Sequence, residues 1–164
     1  MTNSLNKSID RALVLWDKNV KHEDFICLKI IPFPKSCCCF YCWPKVWNVI
    51  NEMIKPQGQI QDEGDVLLKV DDEEYVLECH ESGPEIILLA TASITLLTAI
   101  INLISCLLNH LQKERKKPKE VSIVKKQITQ QQEKVVCKFD LENKAFTLET
   151  ISKKLEKAFE IENK

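Results

Sequence analysis

The stretch IILLATASITLLTAIINLISCLL, from Ile86 to Leu108, decides how this 164-residue chain is organised. It runs for 23 residues without a charge, and as an α-helix it would be about 34 Å long at 1.5 Å per residue. The hydrocarbon core of a bilayer is about 30 Å thick, so this length predicts a transmembrane helix. The alternative is a core helix of a soluble protein, because the stretch also contains six Ser, Thr and Asn residues.

Polar residues in and just after this stretch recur at steps of four and three. They are Thr91, Thr95, Thr98, Asn102, Ser105 and Asn109. Residues at this spacing share one face of a helix, while Leu and Ile cover the rest of its surface. In lipid such a stripe favours helix association through hydrogen bonds of about 0.6 to 2 kcal/mol each. We therefore predict a homo-oligomer that forms through the central helix, with the lining of an oligomeric pore as the alternative.

Opposite charges flank the apolar stretch. Carboxylates dominate between Asp62 and Glu85, and basic residues dominate after Gln112. The predicted juxtamembrane basic residues are Lys113, Arg115, Lys116, Lys117 and Lys119. By the positive-inside rule they predict a membrane protein whose C-terminal unit is cytoplasmic, and they leave the side of the N-terminal unit open. We expect this basic run to meet anionic lipid rather than nucleic acid.

The segment before the helix predicts a small α+β unit. Phe25–Ile31 has the composition of a strand, Val46–Ile54 that of a short helix, and Asp65–Val70 with Glu74–Cys79 that of a β-hairpin around an acidic turn. Ser4–Val20 is amphipathic, and we expect it to cover the sheet or, alternatively, to lie on a membrane surface.

After the helix, Val121–Ile128, Val135–Asp140 and Ala145–Leu148 are predicted strands, followed by an amphipathic helix that Thr147 can cap. The predicted fold class is therefore α+β. Two small β-rich units, residues 1–84 and 113–164, flank one long apolar helix, residues 85–112, which is predicted to be transmembrane.

Eight cysteines are present, and half of them are Cys37, Cys38, Cys39 and Cys42. Neighbouring cysteines are poorly placed to form disulfides, so we expect reduced thiols. The single Cys-x-x-Cys step could give two thiolates to zinc, with Cys27, Cys79 or His80 completing the site. Lipid attachment and an inert apolar loop are the alternatives. Because the chain has no second Cys-x-x-Cys step and no zinc-finger His pair, we predict no metal site.

The sequence contains none of the catalytic motifs that we considered. The chain has three histidines and three glycines, with no nucleophile elbow and no glycine-rich phosphate loop. Cys79 and His80 are neighbours on a predicted strand, where consecutive side chains point to opposite faces. We therefore predict a non-enzymatic protein without a cofactor.

Two segments carry a resemblance to a known family: ESGPEIILLATASITLLTAIINLISCLLNHLQKERKK and VVCKFDLENKAFTLETISKKLEKAF. In the order of their elements they resemble the bacterial effector-associated constant component, a small accessory protein of NTP-dependent biological-conflict systems. The resemblance covers about residues 25–161 and implies a non-catalytic component that couples a regulatory partner to an effector at the membrane.

Together these features predict a non-enzymatic, membrane-anchored adaptor or regulatory subunit with a cytosolic protein partner and no nucleic-acid partner. The alternative prediction is a small oligomeric membrane effector that forms a pore.

Overall fold

The computed structural model describes residues 9–10, 12–14, 20–54, 66–80, 83–127, 133–143 and 147–159 of the chain. Six strands form one antiparallel sheet in the order β2-β3-β4-β1-β5-β6. The strands are β1 (Phe25–Phe33), β2 (Val66–Val70), β3 (Glu73–His80), β4 (Gly83–Leu89), β5 (Glu120–Gln127) and β6 (Glu133–Asp140).

Among the described residues, the α-helices with both ends defined are α1 (Pro44–Ile54), α2 (Ile94–Gln112) and α3 (Leu148–Ala158). A short 3₁₀ turn, His22–Asp24, precedes β1. The longest helix, α2, begins where the Ser93 side chain accepts the Leu96 N–H, and α3 begins where Thr147 accepts the Thr150 N–H. Both hydroxyls satisfy a helix N–H that has no partner within the helix, so the chain itself marks where each helix starts.

The central strands β1, β3 and β4 are buried on both faces of the sheet. The helices pack on one face, where Leu28 and Leu88 belong to the same core as Ile100 and Ile104 of α2. On the other face Phe25 and Cys27 form a smaller core, which also contains Ile9 and Ala12 of the N-terminal segment. The described residues of that segment therefore cover the sheet, as expected from the sequence.

The predicted α+β class and the strands on either side of the long helix are confirmed. The predicted hairpin is also present as β2 and β3, joined by a turn in which Asp71 has a φ of 55°. Of the predicted strand Ala145–Leu148, the first two residues lie outside the described part, and the other half is wrong, because Thr147 caps α3 and Leu148 begins it.

The predicted start of the long helix at Ile86 is wrong, because Ile86–Leu89 belong to β4 and the helix begins at Ile94. The predicted helix segment, which starts at residue 85, therefore begins within a strand. β4 lies between β3 and β1 and is buried on both faces, so its sequence is a continuous apolar run without polar alternation. That run joins the apolar residues of α2 in the sequence, and the two together mimic one longer helix.

The two predicted β-rich units are joined in a single sheet. β1 pairs with β4 on one side, with Leu28 opposite Ile86, and with β5 on the other, with Ile30 opposite Ile123. Since β4 precedes α2 and β5 follows it, both ends of this helix return to strands that border β1. A helix that crossed a bilayer would carry β4 and β5 to opposite sides, so β1 would have to lose one of these two neighbours.

By length and composition α2 passes the test for a candidate membrane span, and half of its apolar window is buried inside the fold. The core helix of a soluble protein passes the same test. Membrane crossing therefore stays a prediction of the sequence.

Candidate functional site

The cysteine loop, residues 34–43, connects the end of β1 to the start of α1. Cys38 is buried in it, its thiol donates to the Ser36 carbonyl, and its own carbonyl accepts the Trp47 Nε1–H at 2.7 Å. Cys37 and Cys39 remain at the surface or half-buried. Inward packing of Cys38 therefore leaves its two neighbours available on the outside.

A tight turn brings the next cysteine to the same place. The Cys39 carbonyl accepts the N–H groups of Cys42 and Trp43 at 3.0 and 2.9 Å, and the chain continues directly into α1. The Cys39 Sγ lies 3.0 Å from the Cys37 Sγ and 3.8 Å from the Cys42 Sγ. All three sulfurs lie within 4.8 Å of one another and form what we call the thiol cluster.

The thiols of this loop differ in acidity. A hydrogen bond from Cys37, followed by one from the Cys42 N–H, lowers the pKa of the Cys39 thiol to about 7. The pKa of Cys42 is raised to about 11, mainly because its proton is shared with Cys37. Burial raises the pKa of Cys38 to about 11. Cys39 is therefore the thiol of this loop that is poised as a thiolate at neutral pH, where it can act as a nucleophile or a metal ligand.

Two contacts attach the first turn of α1, just after the cysteine loop, to the chain after α2. The Lys45 N–H donates to Glu114 Oε1 at 2.6 Å, and the Lys45 Nζ donates to the Lys113 carbonyl at 2.9 Å. Glu114 is 4% exposed. The first turn of α1, which follows the cysteine loop directly, is therefore held against the start of the basic segment, residues 113–119.

The basic segment presents all its predicted cations to solvent: Lys113, Arg115, Lys116, Lys117 and Lys119 are exposed. Large aromatic side chains are exposed close by, with Tyr41 at 89% and Phe33 at 66%. Phe33 pairs in register with Glu120 and so lies next to Lys119. We call this end of the molecule, with the cysteine loop and the basic segment, the basic end.

Some carboxylates also lie at the basic end. Glu120 is half-buried opposite Asp140, which is exposed, and Glu142 is exposed near Lys119, because the Leu141 N–H donates to the Lys119 carbonyl. They are concentrated at the β5–β6 edge. The cations of residues 113–117 follow α2 directly, beside the cysteine loop.

The predicted polar stripe is only partly continuous. Thr91 lies in the turn before α2, so its assignment to the helix is wrong for the same reason that the predicted helix start is wrong. Thr95, Thr98 and Asn102 are exposed along the face of α2 turned away from the sheet, and Asn109 is half-buried.

Ser105, the remaining stripe residue, is buried under α3. It donates to the Ile101 carbonyl at 2.7 Å and accepts from the Ser152 hydroxyl at 3.1 Å. Its hydrogen bonds are therefore made within the fold.

Cys27 was a candidate fourth ligand for zinc, but it lies fully buried on the sheet and outside the thiol cluster. Burial, together with the charges of Glu85 and Glu78, raises the pKa of its thiol. Those two carboxylates are themselves buried and lie opposite each other on β4 and β3. The side chains of Cys79 and His80, the other two candidates, lie outside the described part of the chain.

A further Cys–His pair lies on α2. Cys106 Sγ is 3.7 Å from His110 Nδ1, but that nitrogen is also 2.8 Å from the Cys106 carbonyl. A carbonyl can only accept, so His110 Nδ1 carries the proton in this bond. The ring nitrogen that faces the thiol therefore has no capacity to take its proton.

Sequence reasoning gave the Cys-x-x-Cys step but missed the convergence of Cys37 with Cys39 and Cys42. Their Cys-x-Cys-x-x-Cys spacing was the available signal. It becomes decisive only when Cys38 packs inward and residues 39–42 form a turn.

Comparisons with protein-family models, with curated proteins and with solved structures find no match for this chain. The resemblance to the bacterial effector-associated constant component therefore stays a prediction.

Proposed function

We propose that this protein is a non-enzymatic adaptor or regulatory protein that binds anionic membrane surfaces peripherally, through its basic end. The observation that supports this proposal is the juxtaposition of five exposed cations after α2 with exposed aromatic side chains of the cysteine loop and the end of β1. The membrane remains the partner, as expected from the sequence, but the protein binds to its surface instead of crossing it.

Electrostatic attraction supplies the first part of the binding energy. Each Lys or Arg close to an anionic leaflet contributes about 1 kcal/mol, and this contribution decays within a Debye length. Arg115, Lys116 and Lys117 are consecutive and exposed, and Lys113 and Lys119 flank them. The segment can therefore supply several kcal/mol, and the attraction weakens as salt is added.

Aromatic side chains supply the second part. Tyr and Trp are enriched at the headgroup level of membranes because their rings are apolar and their tips are polar. Tyr41 and Phe40 are exposed at the tip of the cysteine loop, and the bonds of Lys45 to Lys113 and Glu114 hold this loop beside the cations. The two attractions thus act on the same side of the molecule.

Peripheral binding leaves α2 on its sheet. The buried apolar side chains of α2 stay in the core, and the exposed Thr95, Thr98 and Asn102 remain accessible to a second copy or to a protein partner. The adaptor role, and its link to a conflict system, rest on the resemblance described above.

Liposome flotation tests the proposal directly. We expect the full-length protein to float with vesicles of phosphatidylcholine and phosphatidylglycerol, to stay at the bottom with pure phosphatidylcholine, and to be released by high salt. Lys116→Glu should weaken binding at least about fivefold, given about 1 kcal/mol for one cation.

Lys21→Glu is the matched control, since it makes the same charge change at an exposed lysine just before the 3₁₀ turn that leads into β1. This lysine lies at the opposite end of β1 from Phe33, which borders the basic segment. Retention on vesicles after high-salt and alkaline washes would instead indicate a spanning helix. Binding to RNA or DNA without binding to anionic vesicles would overturn the proposal.

A further inference from the structure

The thiol cluster has the dimensions of a metal site. Zinc–sulfur bonds are about 2.3 Å long, so two thiolates on one tetrahedral zinc ion lie about 3.8 Å apart. The Cys39–Cys42 separation is already 3.8 Å. The Cys37–Cys39 separation is 3.0 Å and would have to open by about 0.8 Å, through a rotation of the exposed Cys37 side chain.

We infer that Cys37, Cys39 and Cys42 form a zinc site with three thiolate ligands and an open fourth position. Thiolates are soft ligands that select Zn²⁺ and Cu⁺ over magnesium or calcium. In the described part of the chain, the group of potential ligands consists of these three cysteines, which leaves the fourth position of a tetrahedral ion open to a ligand from outside the group.

Hydrogen bonds of the backbone fix the conformation of the loop without a bound metal. The Cys39 carbonyl holds the turn through the Cys42 and Trp43 N–H groups, and the buried Trp47 indole holds the Cys38 carbonyl. The three ligands therefore need little rearrangement of the main chain. The Lys45 bonds to the chain after α2 further restrain the end of the loop.

Proton release accompanies binding. A neutral thiol must lose its proton before its sulfur can ligate zinc, so each of the three sulfurs enters the site as a thiolate and any bound proton goes to the buffer. No electron is transferred. Protons and zinc compete for the same sulfur atoms, so the affinity for zinc should increase as the pH rises.

Zinc binding can be measured on the full-length, reduced protein without vesicles, so the result is independent of membrane binding. In competition with a chromophoric chelator we expect one equivalent of Zn²⁺. Co²⁺ in its place should give a thiolate-to-metal charge-transfer band and the visible bands of a tetrahedral site. Cys39→Ser should weaken zinc binding at least about 100-fold, since loss of even an outer-shell partner costs about 10- to 100-fold.

Cys106→Ser is the matched control, because Cys106 is half-buried on α2 and does not belong to the thiol cluster. It should bind zinc like the wild type, and circular dichroism should show that both variants remain folded. Zinc affinity unchanged by Cys39→Ser would overturn the inference. So would binding of Cu⁺ but not of Zn²⁺, or loss of the three thiols to disulfides in the protein as isolated.

Discussion

The backbone N–H of Lys45 donates to the carboxylate of Glu114 at 2.6 Å, which joins the first turn of α1 to the chain just after α2. The first N–H groups of a helix have no partner within it, and an acidic group there also interacts favourably with the helix dipole. Glu114 is almost fully buried among basic neighbours in the sequence. This single bond therefore couples the cysteine loop to the basic segment.

Glu114→Ala should lower the free energy of unfolding by about 1.5 to 3 kcal/mol, the range for a hydrogen bond to a charged group. Urea denaturation followed by circular dichroism measures the change. Glu52→Ala, at an exposed position of α1, is the control and should be near neutral. Equal midpoints for both variants would contradict a role of this bond in holding the basic end together.

Ile104→Ala should cost about 2 to 5 kcal/mol, because Ile104 of α2 is 1% exposed in the main core. Ile94→Ala is the control on the same helix. Since Ile94 is 65% exposed, its loss should change stability by less than about 0.5 kcal/mol. Unfolding in detergent-free buffer measures both variants. If Ile104→Ala were as mild as Ile94→Ala, α2 would not lie on the sheet.

We expect the protein to self-associate through the exposed part of the polar stripe. We expect light scattering to give a mass above that of the 19.0 kDa monomer, and Thr98→Ala combined with Asn102→Ala to restore the monomer. The double variant should keep its stability within about 0.5 kcal/mol, because both side chains are exposed.

Asn51→Ala, at another exposed amide on α1, should leave the mass unchanged. A monomeric wild-type protein would refute association through the stripe.

Alkylation by iodoacetamide should distinguish the thiols of the cysteine loop. Only the thiolate reacts, and a lowered pKa means that the thiolate accumulates as the pH rises through that value. Cys39, with a pKa of about 7, should react increasingly between about pH 6 and pH 8. Cys42 and Cys38, each with a pKa of about 11, should react slowly over that range.

Quenched reactions analysed by peptide mass spectrometry resolve the individual sites. A rate at Cys39 that keeps rising about tenfold per pH unit up to about pH 8, without levelling off, would show that the hydrogen bonds from Cys37 and the Cys42 N–H do not stabilise its thiolate.

Local sequence signals predicted much of the fold. The alternating apolar residues of β2 and β3 around an acidic turn identified the hairpin, and Thr147 marked the start of α3. The boundary between β4 and α2 was missed, although Ser93 supplies the N-cap signal for it. A strand that is buried on both faces and a helix that packs on a sheet are both apolar, so hydropathy alone merges them.

Long-range pairings could not be predicted from local patterns. Nothing in the sequence near Leu28 specifies that Ile86 and Lys125 become its neighbours on either side. The candidate site also depends on contacts that local patterns do not reveal. The convergence of the three thiols requires the inward packing of Cys38, which in turn depends on Trp47 of α1.

The position of β1 also has a consequence for synthesis of the chain. β1 is complete at residue 33, but its second neighbour, β5, is not complete until residue 127. At about 5 to 20 residues per second, an elongating ribosome needs about 5 to 20 s to make the intervening segment. Throughout that time an apolar strand keeps an open hydrogen-bonding edge, which is the kind of surface that nascent-chain chaperones protect.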